Sequence, residues 1–361
     1  MSPANALEGQ RVLVTGGSGF IGRHVVSTLA AAGAQVRVVD LQAHPDPDVD
    51  VVRGDIVDPD VIEAAFDGGF DGVVHLAAVT SVLRSVQLPE LTYQTNVAGT
   101  HRVLEGARAS GVKAVVFAST NAVAGPMLEP AITERSALHP LTPYGATKAA
   151  GEMLMSAYTA VYGVRCCPLR LTNVYGPGMQ AKDSIIARLM RAVRLHQSFE
   201  IYGDGRQVRD YAHVADVVSA MTLALTNANW TGPMVIGAGT SLSVLEVIDE
   251  VRAVTGADLQ ITHGPPRSGE MPAVIVDPTR AHASGWSPQF SFNRGVAGVW
   301  DEWRELEIEG AVTFMPSETA PAKLPGRRSG IAEVKQLKQT AAGGYRQAHA
   351  HSGQLRSGDA G

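Results

Sequence analysis

The chain has 361 residues, 45% of them hydrophobic, and a formal net charge of −5. That is enough to bury one large core or two modest ones. With no concentrated basic face before its last stretch, nucleic acid is not expected as a partner. No uninterrupted apolar run reaches the roughly 18 residues that a membrane span needs. Met1-Ser-Pro-Ala-Asn-Ala-Leu-Glu8 lacks the basic-then-apolar pattern of a secretion signal. The only cysteines, Cys166 and Cys167, are adjacent in an apolar strand. Neighbours on a strand point to opposite faces, so no disulfide joins them, and a reduced, cytoplasmic setting is expected.

Arg11-Val-Leu-Val-Thr15 reads as a buried strand. It runs into Gly16-Gly-Ser-Gly19-Phe20-Ile21-Gly22 and then an apolar helix ending near Gly33. Glycines in such a turn let a backbone approach a pyrophosphate, and the helix N-terminus presents free N–H groups to it. Gly22 lets the helix pack close to the strand, and the flanking strand and helix are the context that a dinucleotide fingerprint requires. The next strand ends at Asp40, about twenty residues on, where a ribose 2′-hydroxyl needs an acceptor. An acid there repels a 2′-phosphate, so the cofactor expected is NAD rather than NADP. Asp55-Ile56 follows a third strand; Asp55 either meets the adenine or caps a turn. Gly72-Val-Val-His-Leu76-Ala77-Ala78 is a fourth strand ending in small residues, suited to a backbone lying against a cofactor. His75 reads as a packed strand-end histidine rather than a catalyst.

A helix is expected around 89–109, then the strand Val112–Ala118, then a long helix after Pro143. That helix opens with Tyr144-Gly-Ala-Thr-Lys148. Residues at i and i+4 share a helix face. The Lys148 ammonium is therefore expected beside the Tyr144 phenol, lowering its pKa toward working pH. A phenol so tuned exchanges a proton with a substrate hydroxyl while a cofactor takes the hydride. Val164–Arg170 is expected as a sixth strand, with Pro168 marking an edge or a strand end. The fold class expected is α/β: a Rossmann-like doubly wound parallel sheet over 1–176, with a smaller α/β substrate lobe over 177–314. Segments such as Val208–Leu225 are expected to return to the first lobe. Residues 315–361 carry seven Lys or Arg against three Asp or Glu, a net +4, with little apolar content. They are expected to be a disordered tail, apart from a short helix near Ile331–Gln339.

Taken in order, these motifs resemble the extended short-chain dehydrogenase/reductase family, and within it the UDP-hexose 4-epimerases. The resemblance spans about 10–306. It rests on the Gly16–Gly22 turn, Asp40, Asp55, His75-Leu-Ala-Ala78, Asn96-Val-Ala-Gly-Thr100, Ser119-Thr120, Tyr144-x-x-x-Lys148, Asn173-Val-Tyr-Gly-Pro177 and Val208-Arg-Asp-Tyr-Ala-His-Val-Ala-Asp216. It implies Tyr144 as the acid/base, Lys148 on the nicotinamide ribose, and Thr120 on the sugar 4-oxygen, with Ser119 as the reserve hydroxyl. It assigns the cofactor to Gly16, Gly19, Phe20, Ile21, Gly22, Asp40, Asp55, Ile56, Leu76, Ala77, Ala78, Asn96, Tyr144 and Lys148. For a UDP-sugar it implies Thr80, Thr120, Tyr144, Asn173, Tyr202, Arg209, Arg267, Glu270 and Val274. No metal is implied, and a homodimer is.

Related dehydratases carry Asp-Glu after the Thr; here Asn121 and Ala122 stand there, and neither moves a proton. Hydride and one proton remain, which is 4-epimerisation with no net redox change. Ala124 departs from the family's usual Tyr. Val274 stands where the family limits room at the sugar C2, so N-acetylated sugars are expected to fit. Arg209 has a second reading, an ion pair with Asp210 or Asp216. Two rival functions stay open: a dehydrogenase or keto-reductase of a nucleotide-linked deoxysugar, and a non-catalytic NAD sensor.

Overall fold

Apolar runs too short for helices become a seven-stranded parallel sheet in the computed structural model, which describes residues 7–265 and 273–306. The strands before the second lobe are β1 (Arg11–Thr15), β2 (Gln35–Asp40), β3 (Asp50–Arg53), β4 (Gly72–His75), β5 (Ala114–Thr120) and β6 (Arg165–Leu171). Then come β7 (Asn173–Tyr175), β8 (Phe199–Tyr202), β9 (Val208–His213) and β10 (Met234–Ile236), which returns to the first sheet. Its order is β10-β6-β5-β4-β1-β2-β3. The chain reverses direction across the sheet between β2 and β4, on either side of β1. A ligand crevice opens at the carboxyl ends of strands at such a switch point.

Both faces of this sheet are covered, which is why its strands read as continuous apolar runs. Val12 and Val14 face a layer containing α1 (Phe20–Ala31). Leu13, one residue out of phase, faces the other layer. There lie α2 (Pro59–Phe66), a pair of short helices α3 (Val82–Gln87) and α4 (Pro89–Tyr93), α5 (Thr100–Ala109) and α6 (Pro143–Tyr162). Each large side chain buried this way contributes roughly 1.5–3 kcal/mol. Beyond α7 (Ile185–Arg194), α8 (Val214–Thr226) packs against α1, whereas β9, the first part of the segment Val208–Leu225, belongs to a separate small sheet. The second lobe adds β11 (Ser241–Ser243), β12 (Ile261–Gly264) and β13 (Ala273–Val274). It also holds α9 (Val244–Thr255), the short α10 (Thr279–Ala283) and α11 (Phe292–Glu305). Its core gathers Leu189, Met190, Val247, Ile248, Val296 and Val299 from three of these helices.

Two local expectations are corrected. The helix of 89–109 is not uniform: α4 runs through a π-helical segment, Gln94–Gly99, into α5. Asn96 in that segment clamps the loop after β4, accepting from Val79 N–H at 2.8 Å and donating to Val79 O at 3.0 Å. A wide turn of this kind often marks a functional position. Pro168 does not mark an edge strand, since β6 lies between β5 and β10. Pairing with β10 begins only at Leu169, so the missing N–H of Pro168 falls just outside that ladder. The segment 315–361, with its expected helix, lies outside the described residues. Cys166 and Cys167 are buried free thiols.

Candidate active site

The Gly16–Gly22 turn joins β1 to α1 at the switch point. A Cβ at Gly16 would meet the Ala77 nitrogen at 2.7 Å, and one at Gly22 would collide with the Gly16 carbonyl oxygen. No side chain caps the first turn of α1, whose N-cap is Gly19. Uncapped first-turn amides of this kind, here at Phe20, Ile21 and Gly22, are suited to a pyrophosphate. Asp40 ends β2 with one carboxylate oxygen accepting Ser18 N–H and the other Gln42 N–H, both at 3.0 Å. This fixed negative charge beside the turn suits a ribose diol and opposes a 2′-phosphate. A cradle of backbone, an uncapped helix start and a placed acid together fit NAD. Asp55 accepts Val57 N–H at 3.1 Å, which is its turn-capping reading. Ile56 beside it is core. Asn96 is buried and spends its amide on Val79 and on Thr147 Oγ1 at 3.0 Å. It shapes the Leu76–Ala78 loop wall instead of standing in solvent.

Beneath that loop lies a network that the sequence did not reveal. Thr100 Oγ1 donates to Asn96 O at 2.6 Å, so it accepts from His75 Nε2–H at 2.9 Å. His75 Nδ1 then accepts from Thr15 Oγ1–H at 2.6 Å, and Thr15 Oγ1 accepts Ala77 N–H at 3.3 Å. Burial, and then the Lys148 charge, push the His75 pKa down to about 3. The ring is therefore a neutral brace between the β1 turn, the β4 loop and the π-helical segment, as the packed reading expected.

Thr142 caps α6, accepting Gly145 N–H at 3.1 Å, and Pro143 fills its first turn. This sets Tyr144, Lys148 and Glu152 one above the other on the helix face toward β5. The Thr120 hydroxyl lies close enough to the Tyr144 phenol to favour its charged form, and it donates to Asn121 Oδ1 at 3.3 Å. Thr120 also accepts Ala122 N–H at 3.2 Å. One sequence expectation is overturned here. Burial pushes the Tyr144 pKa up to about 12, opposed only by the Thr120 hydrogen bond. The lowering expected from Lys148 is absent; its Nζ stands 4.4 Å from the Phe117 ring centroid. Burial there lowers the Lys148 pKa to about 7.

Ser119, the reserve hydroxyl, is taken out of that role. Its Oγ donates to Glu152 Oε1 at 2.5 Å, and Arg170 Nη2 pairs with Glu152 Oε2 at 2.9 Å. Both charged side chains are buried, 3% and 5% exposed. Arg170 further donates to Thr133 O at 2.9 Å. Strand register signals this network, since Ser119 pairs with Arg170 across β5 and β6. Only Glu152, two turns past Tyr144, was visible as a hint.

In the second lobe a cavity of about 200 Å³ is walled by Asn173, Ile185, Ile186, Gln207, Arg209 and Tyr211. It unites two of the expected substrate residues, Asn173 and Arg209. Thr120, Tyr144 and Lys148 do not line it. Asn173 Nδ2 donates to Asp210 O at 2.9 Å. Asp210 accepts Ala238 N–H, and Asp216 accepts the amides of Gln289 and Phe290. Thr80 is exposed in the loop after β4, and Tyr202 ends β8, its carbonyl accepting from Gln207. Val274 pairs with Arg209 in β13, but its side chain is buried with Ala124, Ile132, Val235 and Val276 and does not line the cavity. Arg267 and Glu270 lie outside the described residues.

Comparison with known proteins agrees with this geometry. Residues 12–237 match the NAD dependent epimerase/dehydratase family. A UDP-glucose 4-epimerase structure from Thermus thermophilus, in complex with NAD, is 35% identical, covers 82% of this chain and all of its own, and superposes with a TM-score of 0.77. A UDP-glucose 4-epimerase from Thermotoga maritima, solved with UDP-glucose, is 33% identical over 81% of this chain and 98% of its own, with a TM-score of 0.78. A dTDP-glucose 4,6-dehydratase from Streptomyces niveus is 34% identical over 314 residues, 82% of this chain and 93% of its own. More than half of the chain lies within one family match, and the motifs that it contains are those that build the turn and the Tyr144 site. The chain therefore belongs to the NAD-dependent epimerase/dehydratase family.

Proposed function

We propose that this protein interconverts the C4 epimers of a UDP-linked hexose through a transient 4-keto sugar. One observation carries the reading. Thr120 at the end of β5 and Tyr144 in the first turn of α6 bring two hydroxyls near one another, while the two positions after Thr120 offer no acid. A 4,6-dehydratase needs an acid and base there to expel water; Asn121 and Ala122 supply neither. Bound NAD supplies the hydride acceptor and donor. Tyr144 moves the single proton at the sugar 4-oxygen, and Thr120 orients that oxygen. As a buried phenol of raised pKa, Tyr144 rests as the acid. Receiving the proton requires a positive charge nearby, and Lys148, one turn on, is the residue able to provide it. Asn173 and Arg209 in the second-lobe cavity suit the nucleotide's phosphates. The solved neighbour with UDP-glucose supports uridine as the base.

Two finer readings belong with this one. N-acetylated hexoses are included on the resemblance at Val274 alone, since its side chain packs in an apolar cluster away from the cavity; V274Y is expected to slow these more than plain hexoses, and equal slowing counts against the point. The exposed apolar side chains of Val82, Leu83 and Val86 on α3, with Met153, Val161 and Tyr162 on α6, support a homodimer. Light scattering at the monomer mass would refute that.

The function is tested by incubating purified protein with UDP-glucose and no added cofactor. UDP-galactose is expected. Stoichiometric NADH formed only with added NAD would identify a dehydrogenase, and a 4-keto-6-deoxy product a dehydratase. NAD binding with no turnover of any sugar would leave the sensor.

A further inference from the structure

A strap from Gly176 to Ser184 leaves β7 and crosses the first turns of α1. His24 Nε2 meets Pro177 O at 2.9 Å, and Arg23 Nη2 donates to Gly178 O at 3.0 Å. From the second lobe, Glu302 accepts Gly178 N–H at 2.7 Å. Arg191 Nη2 donates to the carbonyls of Gln180 at 3.2 Å and Lys182 at 3.0 Å. The backbone of Lys182 is thus clamped, and its ammonium stands 5.0 Å from the centroid of the Phe20 ring. Phe20 is the first residue of α1, directly after Gly19 in the cofactor turn.

This amine has no carboxylate partner among the described residues. Its neighbour Asp183 is turned toward Arg188, 4.0 Å away. Burial holds the Lys182 pKa below the ordinary lysine value, with no opposing charge to raise it. Lys182 is half-buried, and a cation drawn part-way out of water with no carboxylate beside it is costly to keep. A clamped strap that holds one beside an uncapped helix start implies an anion that arrives with a ligand.

We propose that Lys182 binds a diphosphate lodged at the Gly16–Gly22 turn, closing over it from the second lobe. This rests on the turn being the NAD site. Helix amides would grip the diphosphate from one side and the ammonium from the other, as a point charge suited to phosphate. It also answers a need of the proposed reaction, in which a cofactor that ends each turnover unchanged gains nothing by leaving. The sugar nucleotide carries the same group, so the test has two arms.

K182M keeps the apolar stem over Phe20 and removes the charge; K182R keeps the charge. NAD retained per chain after purification, and its release during dialysis, are measured on native and variant proteins. In the second arm, UDP is titrated calorimetrically into NAD-loaded protein. Losing one charge-assisted contact is expected to speed NAD release from K182M roughly ten- to hundredfold, with K182R restoring retention and UDP affinity unchanged. A comparable loss of UDP affinity with NAD retained would assign the amine to the substrate's diphosphate and overturn its place at the Gly16–Gly22 turn. Unchanged NAD release and UDP affinity in a K182M that unfolds at the native midpoint overturns the proposal. K182Q is measured beside it, and if methionine disturbs folding, unchanged release and affinity in K182Q overturn the proposal instead. Native protein that holds no NAD would remove the cofactor reading along with this one.

Discussion

The family resemblance, more than the spacing, points to Tyr144 as the proposed proton carrier, and the electrostatics expected from the spacing are not those of the structure. Spacing fixes which helix face a side chain leaves from; it says nothing of where a four-carbon lysine stem ends. In the structure the Lys148 ammonium stands over the Phe117 ring, and burial raises the phenol's pKa. Y144F is expected to lower kcat about 10²–10⁴-fold while NAD content stays native, as for loss of a general acid/base; a smaller loss would move the proton task elsewhere. Ser119 shows the opposite limit. As a sequence it was an equal neighbour of Thr120, and only tertiary pairing committed it to Glu152 and Arg170. E152L would strand the Arg170 charge in the core, costing about 3–5 kcal/mol in urea unfolding. A loss under about 1 kcal/mol would show that water reaches the guanidinium, as at a surface pair.

Elements were most legible where a local rule and burial agree. The β1 turn, α1 and α6 all follow from glycine, proline and capping residues within a few positions of their ends. T142A removes the α6 cap and is expected to cost about 1 kcal/mol, measured by denaturant midpoint. The activity per folded molecule should fall too, because the first turn of α6 carries Tyr144. The π-helical segment could not be read, since its cause is a distant loop. Asn96 reaches Val79 and Thr147, far from it in sequence, and a pattern within one helix carries no trace of them. Pro168 was misplaced for a related reason. Its rule concerns a missing N–H, and only the register with β10 shows that no partner sat opposite.

Across the whole molecule, parallel order and the returning segments were legible because strand–helix alternation permits few topologies. The placing of charge was less so. Lys148 is buried in the folded chain with its pKa near 7, against an ordinary 10.5. The unfolded chain therefore binds more protons between those values, and stability should rise with pH across that window. That contribution is present above 10.5 and is lost as pH falls through 7. NAD-free native protein should gain stability between pH 7.5 and 9.5, by at most about 1.4 kcal/mol per pH unit. In K148M the rise should disappear. An identical rise in K148M would place the titrating group elsewhere.

The central claim is that hydride leaves the sugar C4, waits on the enzyme and returns to the same carbon. UDP-glucose deuterated at C4 tests it most directly when turned over in ordinary water without added cofactor. The account predicts UDP-galactose with the deuterium still at C4. Epimer that has lost its label to solvent, or label recovered at C6 of a deoxy product, would contradict it.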